Sequence, residues 1–91
     1  MAEWRYLSNH AQALLHIADD PDARLRDIAR SIGITERATH RIVSDLVDGG
    51  YVSRERRGRR NHYEVQTHRP LHDPALRDRK VADLLEVLKP P

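Results

Sequence analysis

One stretch, LRDIARSIGITERATHRIVSDLVDGG from Leu25 to Gly50, constrains the fold more than any other part of the chain. Leu25, Ile28, Ala29 and Ile32 recur at i, i+3, i+4 and i+7. After Gly33 the same spacing returns in Thr39, Ile42, Val43 and Leu46, so two short amphipathic helices are predicted with a turn between them. Gly33 suits the left-handed conformation that ends a helix, and Thr35 is a good N-cap for the second one. A connection of about three residues is the length of a helix-turn-helix.

Ile28-Ala29, Gly33-Ile34-Thr35, Arg41-Ile42, Leu46 and Gly50-Tyr51-Val52 carry a wider resemblance. They sit where winged helix-turn-helix regulators of the MarR/ArsR type have a hydrophobic-Ala pair, a Gly-hydrophobic-Ser/Thr turn, a recognition helix and a Gly-aromatic-aliphatic entry into the wing. The chain resembles that superfamily over residues 7 to 66. The likeness implies a mainly α fold with a small β-hairpin, a winged helix-turn-helix followed by a C-terminal dimerisation helix. Thr39 stands where the family usually has Val or Ile, and a hydroxyl buried there needs a helix carbonyl as partner. Full MarR-type chains add long helices on both sides, whereas this chain has room for one on each.

Ninety-one residues make one small domain with no second core. Only 38% of them are hydrophobic, and a small chain so poor in apolar residues often completes its core with a second subunit. The formal net charge is only +2, but residues 54 to 60 contain five Arg against one Glu, a local cluster that marks an anion-binding surface. The absence of cysteine excludes disulfides, thiolate metal sites and a Cys nucleophile. With no apolar run long enough for a membrane span or a leader, a soluble cytoplasmic protein is expected.

Ser8 can cap a first helix running to about Ala18, with Ala11, Leu14, Leu15 and Ala18 on its inner stripe. Trp4, Tyr6 and Leu7 precede it and are read as packing residues, within the subunit or across a dimer. Asp19-Asp20-Pro21-Asp22 reads as a solvated acidic loop. In the second helix of the motif Glu36, Arg37, His40, Arg41 and Ser44 share one polar face, preceded by Thr35. By charge alone this is an ordinary solvated face; on the second helix of such a motif, base contact is the better reading. Strands are predicted from Tyr51 to Glu55 and from His62 to Gln66. The hairpin tip between them carries Arg56, Arg57, Arg59, Arg60 and Asn61, with Arg54 on the first strand. So many arginines of one sign suit phosphate contact or entry into a narrow minor groove. His40 and His62 are expected on the same side as DNA contacts.

Residues 1–69 are thus expected to form the DNA-binding domain, and 70–91 a C-terminal helix serving as the dimerisation element. Asp73-Pro74 looks like a helix start, and Val81, Leu84, Leu85 and Leu88 repeat at i, i+3, i+4 and i+7 as the dimerisation stripe. ArsR-type relatives include metal sensors, but Pro70 between His68 and His72 opposes the helical face their spacing needs, and His10 and His16 point to different faces of a helix. No metal or other cofactor is expected. No nucleophile has an acid/base partner and no Gly-rich phosphate loop is present, so an enzyme is not expected. The sequence therefore points to a homodimeric transcriptional regulator binding specific double-stranded DNA, with the recognition helix in the major groove and the Arg-rich wing on the backbone or minor groove. The alternative is a winged-helix module for protein interaction or non-specific DNA packaging. Operator, direction of regulation and any effector are not written in these residues.

Overall fold

The computed structural model describes residues 6–71 and 73–88. Its elements run α1 (Asn9–Asp19), α2 (Leu25–Ile32), α3 (Glu36–Asp48), β1 (Val52–Arg57), β2 (Arg60–Val65), a 3-10 turn (Pro74–Leu76) and α4 (Val81–Leu88). Four helices and one antiparallel hairpin give the winged helix-turn-helix architecture. None of the helices among the described residues is long and apolar enough to cross a membrane.

Ser8 caps α1, its Oγ accepting from the Ala11 N–H at 3.1 Å. The buried stripe of this helix is Ala13, Leu14 and Ile17, rotated from the expected one: Ala11 and Leu15 are half-buried and Ala18 is exposed. Alanines at 11, 13 and 18 fit either face, and Ile17, with more apolar area to bury, fixes the rotation.

Gly33 takes φ 85° and closes α2, with the Gly33 and Ile34 N–H groups both donating to Ala29 O at 2.8 and 3.0 Å. Thr35 then caps α3 by accepting from the Ala38 N–H at 3.0 Å. Ile28 and Ile32 of α2 meet Ile42, Val43 and Leu46 of α3 and the stripe of α1 in one core, closed by Val52, Tyr63 and Val81. Thr39 is completely buried in it, and its Oγ1 donates to Thr35 O at 3.0 Å, the carbonyl partner its position requires.

The hairpin is longer and its turn tighter than the sequence suggests. Val52 pairs with Val65, Arg54 with Tyr63, Arg56 with Asn61 and Arg57 with Arg60, leaving Gly58-Arg59 as a two-residue turn. Positive φ at Gly58 (64°) and not at Arg59 is the type II′ pattern that matches the twist of paired strands. Arg56 and Arg57 have no apolar neighbours to reveal an alternation, so their strand character comes from pairing alone.

The Asp19-Asp20-Pro21-Asp22 segment is more than a solvated loop. The Tyr63 N–H donates to Pro21 O at 2.9 Å, so the loop flanks β2 on the side away from β1.

Beyond the wing, Asp73 caps a 3-10 turn by accepting from the Ala75 N–H at 2.9 Å, but no helix continues from it. Arg77-Asp78-Arg79-Lys80 offers no apolar face to bury, and the chain reverses there, with Arg77 at φ 51°. Lys80 bridges back to Pro70, and α4 starts at Val81. The orphan N–H groups of its first turn are satisfied by the connector: Val81 donates to Arg69 O at 2.9 Å and Ala82 to Thr67 O at 3.0 Å.

Candidate nucleic-acid interface

Packing three apolar positions of α3 on the core turns the opposite face outward. Thr35, Glu36, Arg37, His40 and Arg41 are exposed and Ser44 is half-buried. Arg37 and Arg41 make no side-chain hydrogen bond or ion pair among the described residues, and both guanidiniums are available to a ligand. The Thr35 hydroxyl accepts the cap bond with one lone pair and keeps its O–H donor for a further contact.

The wing arginines divide by what they already hold. Arg54, Arg56, Arg57, Arg59 and Arg60 are exposed, and Asn61 is half-buried. Arg56 Nε donates to Gly58 O at 3.0 Å, bracing the turn, and Arg57 pairs with Glu55 at 3.3 Å on the surface. Asn61 Nδ2 donates to the Tyr63 hydroxyl at 3.4 Å. Arg60 is not a free tip residue, because its Nη2 donates to Asp22 O at 2.7 Å. Arg54 and Arg59 have no such tie among the described residues.

His62 also departs from the sequence reading. Its side chain is only 20% exposed, and its Nδ1 lies 2.7 Å from Asp22 Oδ1. An ionised carboxylate only accepts, so the ring nitrogen is the donor. That hydrogen bond, with the charges of His62, Arg57 and Arg60 nearby, holds the Asp22 carboxyl below its ordinary pKa. His62 is thereby part of the wing's mounting, whereas His40 stays exposed on α3.

A cleft of about 370 Å³ joins the two basic elements, bringing Arg59, Arg60 and Asn61 of the wing beside Glu36 at the start of α3 and Arg24 before α2. Arg24 was not singled out from the sequence. It occupies the N-cap of α2 with no side-chain cap bond, at the end of a helix dipole that disfavours a cation, and that misplacement was the available signal. His10 was also missed as a tie: its Nε2 lies 2.8 Å from Asp45 Oδ2 and links α1 to α3.

A second, apolar surface is built from other residues. A groove of about 1070 Å³ runs between α1 and α4, lined by Tyr6, Leu7, Leu15, Ala18, Leu85 and Leu88 among others. Val87 is 80% exposed and Leu88 40%, whereas Leu84 and Leu85 are half-buried. Val81, expected in the dimerisation stripe, is fully buried in the chain's own core and cannot face a partner; the reach of the connector draws it inward. Trp4, His72 and Lys89-Pro90-Pro91 lie outside the described residues. Among the described residues no group of three or more His, Asp or Glu converges as a metal site.

Comparison with curated proteins finds no match. Among solved structures, the chain is similar to the zinc-dependent MarR family transcriptional regulator AdcR in its Zn(II)-bound state, at 17% identity and a TM-score of 0.51. The match covers 72% of this chain and 47% of that one, so the chain spans about half the length of its structural neighbour. At that identity the likeness concerns the fold. The MarR family model matches residues 6–60, which takes in α1, the helix-turn-helix and the hairpin turn. With the family's pattern extending over more than half of its length and its winged helix-turn-helix present in the fold, the chain belongs to the MarR family of transcriptional regulators.

Proposed function

We propose that the chain is a sequence-specific double-stranded DNA-binding transcriptional regulator acting as a homodimer. The observation that supports the reading is that the Arg59 tip of the hairpin shares a cleft with Glu36 at the start of α3, the helix whose exposed face carries Arg37, His40 and Arg41. A helix enters the major groove, where a guanidinium can bridge O6 and N7 of guanine; a basic hairpin next to it reaches backbone or minor groove. In this reading the second copy covers the apolar groove between α1 and α4, to which Leu88 contributes, together with the neighbouring exposed Val87. No cofactor and no membrane enters this reading.

Selection of bound sequences from a random duplex pool tests it. A homodimer with a two-fold axis should enrich a pseudo-palindrome whose half-site centres lie about 34 Å, one helical turn, apart. Enrichment of nothing, with all duplexes bound equally, would contradict sequence-specific binding and favour a packaging role.

A further inference from the structure

The hairpin leaves the core early. Of β1 only Val52 is buried and the five residues after it are exposed; of β2 only Tyr63 is buried. From Arg54 to the turn and back to Arg60 no side chain is anchored in the hydrophobic core, so packing holds the hairpin at its base, through Val52 and Tyr63, and not along its outer half. A two-stranded hairpin without such packing is marginally ordered on its own.

The ties beyond that base lie on one short loop. Alternation in β2 puts Arg60 and His62 on the face opposite Asn61 and Tyr63. Both side chains reach the same residue: Arg60 Nη2 the Asp22 carbonyl at 2.7 Å, His62 Nδ1 the Asp22 carboxylate at 2.7 Å. Between them the Tyr63 N–H meets Pro21 O at 2.9 Å. Asp22 is itself braced from behind, since its backbone N–H donates to Asp20 Oδ1 at 3.1 Å. Loop, strand and turn are thereby connected through Asp22, an acidic residue on the cleft shared by Arg59 and Glu36 whose charge is unsuited to a phosphate contact.

From this geometry we infer that Asp22 and His62 are positioning residues, a strut that fixes the wing relative to the recognition helix without touching DNA. The inference rests on the proposed DNA-binding role of the wing for its consequence, but not for its geometry. Loss of the strut frees the hairpin to swing about Tyr63, so the wing arginines reach the duplex from a spread of angles while α3 remains seated. Asparagine at position 62 places an N–H donor where Nδ1 stands, which makes His62→Asn the conservative rescue.

The chain contains no cysteine, so nitroxide labels at Asp48→Cys on α3 and Arg59→Cys on the wing are unambiguous. With labelled chain diluted in unlabelled chain, pulsed electron resonance without DNA should give one narrow distance distribution. His62→Ala and the exposed-site variant Asp22→Ala should each broaden it, and His62→Asn should restore it. An unchanged distribution in both alanine variants, or no rescue by asparagine, would overturn the strut. In unlabelled protein, His62→Ala should weaken selected and scrambled duplexes together and flatten the plot of log affinity against log salt by about 0.9 for each phosphate that the wing no longer neutralises per subunit site. A broadened distribution with DNA affinity and salt slope unchanged would uphold the strut and overturn the wing's role in DNA binding instead.

Discussion

Thr39 buries a hydroxyl in the middle of α3 and leaves nothing unpaired, because Thr35 O accepts both its Oγ1 and its backbone N–H at 3.0 Å. Thr39→Val keeps the shape and leaves that carbonyl bonded through the N–H, so denaturant unfolding should shift by less than about 1 kcal/mol. Ile17→Ala, at a residue with no exposure at all, should cost roughly 2–5 kcal/mol. Equal losses in the two variants would mean that the hydroxyl holds α3 in a way the geometry does not show. Asp22 gives a pH test at the same scale. The hydrogen bond from His62 depresses its folded-state pKa, so the stabilisation it gives the wing is present above the unfolded value and fades as pH falls through the folded one. Protection of the β2 amides, measured as exchange relative to the intrinsic rate at each pH, should therefore fall on acidification below about pH 4 more in the parent chain than in Asp22→Asn. The same loss of protection in both would contradict the assignment. From the sequence, the exposed arginines of α3 were legible because the helical period separates faces. The ties of Arg60 and His62 to Asp22 span 38 and 40 residues of sequence, and no local pattern records them.

Elements were legible where apolar spacing and a terminator agree. Gly33 and Thr35 mark the boundaries of the helix-turn-helix, and Ser8 the start of α1, because each has a specific backbone job there. The α1 stripe is rotated because alanine is compatible with either face. The helix start at Asp73-Pro74 is locally sound, but four successive charged residues give the turn no apolar face to propagate on. The wing strands run to the turn on pairing alone, which makes Gly58 the element's most exposed dependency. At φ 64° with open space around it, Gly58→Ala meets no clash but carries backbone strain of about 1 kcal/mol. Amide exchange should quicken through β1 and β2 and stay unchanged in α2 and α3; a global loss of protection would show that the hairpin supports the core rather than hanging from it.

At the scale of the whole molecule, the basic elements and the α1–α4 groove are built from different residues, so the proposed contacts with DNA and with a second copy do not compete for the same side chains. Val87→Asp with Leu88→Asp changes residues that are exposed within the chain, and should reduce a light-scattering mass of about twice 10.6 kDa to the monomer without unfolding it. A parent chain that is monomeric at micromolar concentration would contradict the homodimer. The central claim is that α3 reads bases while the wing anchors, and a salt titration of Arg37→Ala and Arg59→Ala on selected and scrambled duplexes tests it most directly. Arg37→Ala should lose roughly 1–3 kcal/mol on the selected site and little on the scrambled one. Arg59→Ala should weaken both duplexes alike and flatten the salt slope by about 0.9 per phosphate left unneutralised. If Arg37→Ala weakens both duplexes equally, or Arg59→Ala alters base preference at an unchanged salt slope, that division of labour is wrong.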